Sequence, residues 1–437
     1  MKRIILALAL LGSLATGQGA QAVIGTVDDV PAATLLLPYF EVALNDPDDV
    51  TTLFSVNNAS ASAALVHVVI WSDLSVPVLD FNIYLTGYDV QTVNLRDILV
   101  NGILPRTASA GQDTGEAEPN PAPTASAISN QGAFSDDVDF DSCDGQLPPP
   151  VLPASFIAHL QASLTGQFSS ILGGCAGRAF GDGIARGYIT MDTVNNCTLQ
   201  FPGDAGYFGT AGSATNDNIL WGDYFYVNPG QNFAQGETLV HVEASVSNPE
   251  TSVPGEYTFY GRYVGWTAAD NREPLTTNFA VRYINGGAFT GGTDLITWRD
   301  SKVNQNAFKC GTLPSWYLLG QEQIVIFDEQ ENPEVPQTLP VSPQPPGEAL
   351  SPFGAEAQRT AVDSEDFPVS FDFGWVFLDL NTSVAAAGAN PPEDPTAAQA
   401  WVTVVMDADG RFSVGFDAIQ LDNATNANHS LIGNNPT

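Results

Sequence analysis

The chain reads as an all-β protein of β-sandwich-type architecture with one short helix and long Pro-rich loops. Three observations predict this. First, short runs rich in Val, Ile, Leu and aromatics recur between Asn, Ser, Pro, Gly and Asp clusters, as in "TTLFSVNNASASAALVHVVIWSDLSVPVLDFNIYLTGYDVQTVNLRDIL" (51–99); that rhythm marks sandwiches and barrels. Second, "ALVHVVIW" is apolar on both faces, with Ala64, Val66, Val68 and Ile70 on one and Leu65, Val69 and Trp71 on the other. Such a strand is expected to be interior and covered on both sides. Third, no fixed-period repeat is present, which argues against a propeller or solenoid.

Along the chain, "MKRIILALALLGSLATGQGAQAVIG" opens with Lys2 and Arg3, an apolar stretch from Ile4 to Ala15, and small residues at Ala20 and Ala22. This is the anatomy of a secretory signal peptide cleaved before Val23. No later segment is long and apolar enough for a membrane helix. The strand-rich stretch to residue 104 gives way at 105–153 to a Pro-, Ala- and Ser-rich acidic excursion without periodicity. The one convincing helix is "LPASFIAHLQASLTG", where Pro153 suits the first turn and Gly166 the stop. Phe156, Ile157, Leu160 and Leu164 form its apolar stripe. Strand signals return at 187–192, 224–227, 238–245, 257–264, 277–284 and 323–327.

Six prolines between Pro333 and Pro346 mark a second interruption. The end is expected to be a hairpin, strands 401–406 and 411–416 around "DADG". The expected division is a leader (1–22), N-terminal sandwich strands (23–104), the acidic excursion (105–153), a helix with a second strand-rich region (154–330), a Pro-rich linker (331–369) and a C-terminal hairpin region (370–437). The linkers do not separate complete strand sets, so one large domain or two intimate ones are expected.

Charge narrows the partners. The chain carries 49 acidic against 14 basic residues, and Lys302 and Lys309 are the lysines left once the leader is removed. Nucleic acid binding needs clustered Lys and Arg and is not expected. With 44% hydrophobic residues the chain has ample material for a packed core. Cys143, Cys175, Cys197 and Cys310 make an even count in an exported chain, with no C-x-x-C pair; two structural disulfides are expected, paired Cys143–Cys175 and Cys197–Cys310. Loops of these lengths would stabilise by roughly 4–5 kcal/mol each in the chain-entropy model.

For chemistry, "SDDVDFDSCDG" comes first. Asp137, Asp139 and Asp141 have EF-hand spacing, but Ser142 stands where Gly is needed and Pro148 where a bidentate Glu belongs. Two readings remain: a non-EF-hand calcium loop using Asp137, Asp139, Asp141 and Asp144, and a solvated acidic loop pinned by Cys143. Calcium is thus the cofactor to test. "DADG" has Arg411 at the fifth position, against a metal loop, and the Asp46, Asp48, Asp49 cluster reads as a solvated turn. Neither a G-x-S-x-G elbow in the mature chain nor an H-E-x-x-H helix occurs. His67 and His241 lie inside strand patterns, where a core role is ordinary.

The strongest binding signal is aromatic. "NDNILWGDYFYVNPGQNF" gathers Trp221, Tyr224, Phe225, Tyr226 and Phe233 among Asp, Asn and Gly. Trp221, Tyr224 and Tyr226 are the expected ligand platform, with Tyr224 and Tyr226 on one strand face and Phe225 opposite; the competing reading is a core role. Trp298, Arg299 and Asp300 form a weaker cluster, with Arg299 expected as an ion-pair partner. N-x-S/T sequons occur at Asn58, Asn196, Asn381, Asn423 and Asn428. The function expected is an exported, disulfide-stabilised, non-enzymatic surface or extracellular protein in adhesion, matrix or assembly, periplasmic in a Gram-negative cell. The alternative is a secreted carbohydrate-binding protein or a glycoside hydrolase using Asp/Glu pairs. Self-association and cell-surface glycan are the partners in view.

Overall fold

The computed structural model describes residues 30–105, 151–255, 258–300, 306–311, 323–334, 353–363, 369, 371–380 and 399–421. The leader, the acidic excursion with Asp137, Asp139, Asp141, Cys143 and Asp144, and the sequons at Asn381, Asn423 and Asn428 lie outside them.

Four antiparallel sheets form among the described residues, confirming the all-β, sandwich-like class. The central sheet runs β10 (Val240–Val242), β1 (Thr34–Ala43), β6 (Ile184–Val194), β3 (Ala64–Ser72), β4 (Pro77–Leu85). The front sheet runs β5 (Val90–Asn94), β2 (Thr51–Asn58), β8 (Asp223–Asn228), β9 (Phe233–Thr238), with β7 (Leu220–Trp221) paired to β2. A shared sheet runs β15 (Ala357–Ala361), β12 (Gly292–Arg299), β17 (Ala400–Asp407), β18 (Ser413–Asp417). The C-terminal sheet runs β14 (Pro333–Glu334), β13 (Gln323–Asp328), β16 (Phe373–Asp379), β11 (Asn278–Ile284), β19 (Ile419–Gln420).

β3 lies between β6 and β4 and is buried at every position, as its two apolar faces require. β1, also buried throughout, is the strand that periodicity missed. It carries Pro38, which has no N–H to give a ladder and argues against an interior strand. The structure resolves the conflict with a bulge: Leu37 faces Ile189, but Phe40 faces Gly187, so one extra residue absorbs the proline.

The helix expected after Pro153 is α2 (Ala154–Leu164), with Leu160 and Leu164 buried and His159 joining the inward face. A short helix, α1 (Leu95–Leu99), follows β5, and Asn94 caps it by accepting from the Arg96 amide at 3.0 Å. The hairpin forms with Met406 opposite Val414 and Asp407 opposite Ser413. The stretch 257–264, expected as a strand, ends instead in a helical turn, Gly261–Val264. Phe259 and Tyr260 anchor it in the core, so their apolar run is a plug rather than a ladder.

Two cores result, and the shared sheet serves both. Ile296, Trp298, Trp401 and Val405 face the larger core; Leu295, Val402, Val404 and Met406, alternating with them, face the C-terminal one. The join to the central sheet is aromatic. Trp71 stacks on Tyr188 at 5.8 Å, Tyr188 meets Trp298 edge-on at 6.0 Å, and Trp298 stacks on Phe259 at 5.4 Å.

Cys175 is bonded to Cys310, 135 residues away, which corrects the expected pairing. Cys175 and Phe308 form a β-bridge that sets the two chain segments side by side. A loop this long stabilises by about 5 kcal/mol in the entropy model. Cys197 is also disulfide-bonded, to a partner outside the described residues. The sequon at Asn58 is closed to glycan: its side chain is buried, and the amide donates to the Ser62 and Thr86 carbonyls at 2.6 and 3.0 Å. No helix among the described residues is long and apolar enough to cross a membrane.

Because Trp298 is the ring between the two halves of the join, Trp298→Ala is expected to lower the unfolding free energy by about 3–5 kcal/mol. The check is a urea titration beside the exposed-site control Val246→Ala, at a residue 66% exposed and expected to stay within about 0.5 kcal/mol.

Candidate functional site

The front sheet has one dry face and one wet face. Strand alternation sends Phe54, Val56, Tyr224 and Tyr226 into the larger core. The opposite face gathers Leu53, Ser55 and Asn57 from β2, Val90, Thr92 and Asn94 from β5, and Trp221, Asp223 and Phe225 from β7 and β8 around a depression of about 450 Å³. Trp221 is 42% exposed and Phe225 43%. Tyr224 and Tyr226 are at 1% and 3%.

The structure therefore brings one of the three expected platform residues, Trp221, to a ligand-accessible surface. Tyr224 and Tyr226 are core residues, and Phe225 is the second exposed ring. Tyr226 donates its hydroxyl to the Tyr39 carbonyl at 2.7 Å, and burial holds the Tyr224 and Tyr226 hydroxyls well above the usual tyrosine range. The alternation that separates Phe225 from its two neighbours is legible in the sequence. The identity of the wet face is not, because it depends on which side of β8 meets β1.

Register builds the face. Phe225 stands beside Leu53 on β2 and Gly236 on β9. A Cβ at Gly236 would stand 2.2 Å from Phe225 Cε1, so glycine lets the ring lie across its neighbour strand. Asn57 is cross-strand to both Val90 and Trp221. At Gly222, between β7 and β8, a Cβ would meet the Ser55 carbonyl oxygen at 2.2 Å. Its absence brings Trp221 and Asp223 close against β2.

A polar chain crosses the floor. Asn57 Nδ2 donates to Ser55 Oγ at 2.9 Å, and Ser55 Oγ donates to Asp223 Oδ1 at 2.6 Å. Asn57 is 1% exposed, yet its Oδ1 has no hydrogen-bond partner among the described residues. Leaving a buried acceptor unmatched costs about 1–3 kcal/mol. Asp223 is the one carboxylate lining the depression among the described residues, and no Lys, Arg or His lines it.

The other candidates are held in structural roles. His159 bonds the Val78 carbonyl through Nε2 at 2.9 Å and Ser169 Oγ through Nδ1 at 2.7 Å. His67 and His241 are buried in β3 and β10. Trp298, Arg299 and Asp300 are all buried; Arg299 donates to the Phe353 and Leu380 carbonyls, while Asp300 faces Arg262 at 3.4 Å. In the turn after β1, Asp46 and Asp49 accept backbone amides from Asp48 and Val50. No cluster of three metal-ligating side chains occurs among the described residues.

The most elaborate polar centre is Asp192. Thr34 bonds its carboxylate, Arg272 lies 3.5 Å from it, and the Tyr207 and Tyr260 hydroxyls donate to it at 2.7 and 3.0 Å. With Asp192 and Arg272 both at 0% exposure, this network is a sealed internal clamp. Comparison with known proteins finds no matching family model, no matching curated protein and no matching solved structure.

One buried acid has a measurable consequence. Burial pushes the Asp270 carboxyl up to about 6, against about 3.9 in an unfolded chain. The folded protein therefore holds a proton that the unfolded chain releases. The stability this contributes is full below about pH 4 and is lost as pH rises through about 6. Across that window the loss is about 3 kcal/mol. Asp270→Asn is expected to flatten this part of the profile, read as urea midpoint against pH.

Proposed function

We propose that this chain is an exported, non-enzymatic protein of the cell surface or extracellular space, periplasmic in a Gram-negative host, that serves adhesion, matrix or assembly through its open front-sheet face. The observation that carries this reading is the wet face of the front sheet, which bears two exposed aromatic rings around a depression while its other face closes the larger core. Exposed large rings are costly to keep in water and mark interaction surfaces when they gather around a depression. The leader-like N-terminal stretch and the Cys175–Cys310 bond across 135 residues both suit an oxidising exterior.

A hydrolase would need two carboxylates about 5–9.5 Å apart across its cleft. Among the described residues Asp223 is the single carboxylate lining this depression, which favours binding over cleavage there.

The test is fractionation of the cell that encodes the protein, with amino-terminal sequencing and maleimide labelling of thiols. The expected result is a chain beginning at Val23 in the surface, periplasmic or culture fraction, with no labelled cysteine before reduction. A full-length cytoplasmic chain with reactive thiols overturns the reading.

A further inference from the structure

The chemistry of the front-sheet depression names a ligand class, an inference that rests on the extracellular binding reading above. We propose that the depression binds a neutral carbohydrate chain laid along β2 and β8, stacked on Trp221 and Phe225 and hydrogen-bonded to the floor between them.

Trp221 and Phe225 lie four residues apart on the same face, roughly 13 Å along the strand direction. Both rings are about two-fifths exposed. A pyranose ring has an apolar C–H face that stacks on an aromatic and an equatorial rim of hydroxyls that needs partners. Two rings separated along a strand therefore fit successive or alternate sugars of one chain. Phe225 is already seated over Gly236, so its orientation is set before any ligand arrives.

The floor supplies the matching polar groups. Ser55, Thr92 and Asp223 fall between the two rings, and Asn57 lies level with Trp221. The Asn57–Ser55–Asp223 chain uses the Asn57 amide group as a donor and leaves Asn57 Oδ1 unmatched in a residue 1% exposed. The polar side chains a ligand can reach are Thr92, exposed on β5, and Asp223, half-buried on β8, which offer a hydroxyl and a carboxylate to sugar hydroxyls. An apolar peptide segment would cover Thr92 and Asp223 without satisfying them, which argues against it.

Charge removes the anionic sugars. Among the described residues no cationic side chain lines the depression, Asp223 lies in it, and the whole chain has a formal net charge of −35. Sulfated, phosphorylated and uronic-acid polymers would be repelled. Uncharged glucans, mannans, xylans and N-acetylated chitin fragments remain.

The experiment titrates the mature, oxidised protein with cello-, xylo-, manno-, malto- and chito-oligosaccharides, following tryptophan fluorescence and calorimetric heat. Trp221→Ala, Phe225→Ala and the distant exposed-ring control Phe412→Ala are titrated beside it, with circular dichroism confirming that each is folded. Binding of at least one series is expected, weakened about tenfold or more by Trp221→Ala and by Phe225→Ala and unchanged by Phe412→Ala. Binding that survives both front-sheet substitutions overturns the proposal. So does a dimer, seen by sedimentation, that Trp221→Ala dissociates, since the face would then be covered by a second copy. An exported, oxidised protein that binds none of these sugars overturns the carbohydrate assignment and leaves the extracellular reading intact. A reduced cytoplasmic chain overturns the extracellular reading itself.

Discussion

The central strands of the shared sheet, β12 and β17, are buried on both faces, and much of the molecule is arranged around that requirement. β12 and β17 must be apolar at consecutive positions, because Ile296 and Trp298 serve one core while Leu295 serves the other. A sheet covered on both sides cannot tolerate slippage, since a one-residue shift would exchange every side chain between cores of different shape. Pairing along the whole strand, from Gly292 opposite Asp407 to Arg299 opposite Ala400, sets that register. The Trp71, Tyr188, Trp298 and Phe259 rings then bring the central sheet against one face by stacked and edge-on contacts.

Packing so many strands leaves polar groups inside, and charge networks pair several of them. Asp192 is held by Arg272, Thr34 and two tyrosine hydroxyls in the larger core. Arg262, in the helical turn Gly261–Val264, pairs with Glu356 at 2.5 Å and tethers that turn to the start of the shared sheet's edge. Such networks add less to stability than their contacts suggest, because desolvation offsets attraction. Their removal in part would be severe, since it would strand a buried charge.

The front sheet is covered on one side. Its inward side closes the larger core with Tyr224 and Tyr226, and its outward side carries Trp221, Phe225 and Asp223. Rigid packing on one side is what allows the other to present side chains in fixed positions, at little entropic cost to binding.

Periodicity and turn residues in the sequence determined most of the elements: the two-faced strand at Ala64–Ser72, the helix after Pro153 and the hairpin around "DADG" all form where local pattern places them. These are short-range properties, set by side-chain alternation, capping and turn chemistry. Tertiary structure decided the rest. Pro38 hides β1 from any local rule until a bulge opposite β6 absorbs it. The Cys175–Cys310 bond depends on a bridge between segments 135 residues apart. The sequon at Asn58 is spent on two carbonyls it meets only in the folded chain. The same holds for the candidate site: the sequence sets Phe225 against Tyr224 and Tyr226, but which side meets water is settled by the strand that packs beneath them, and that contact is long-range.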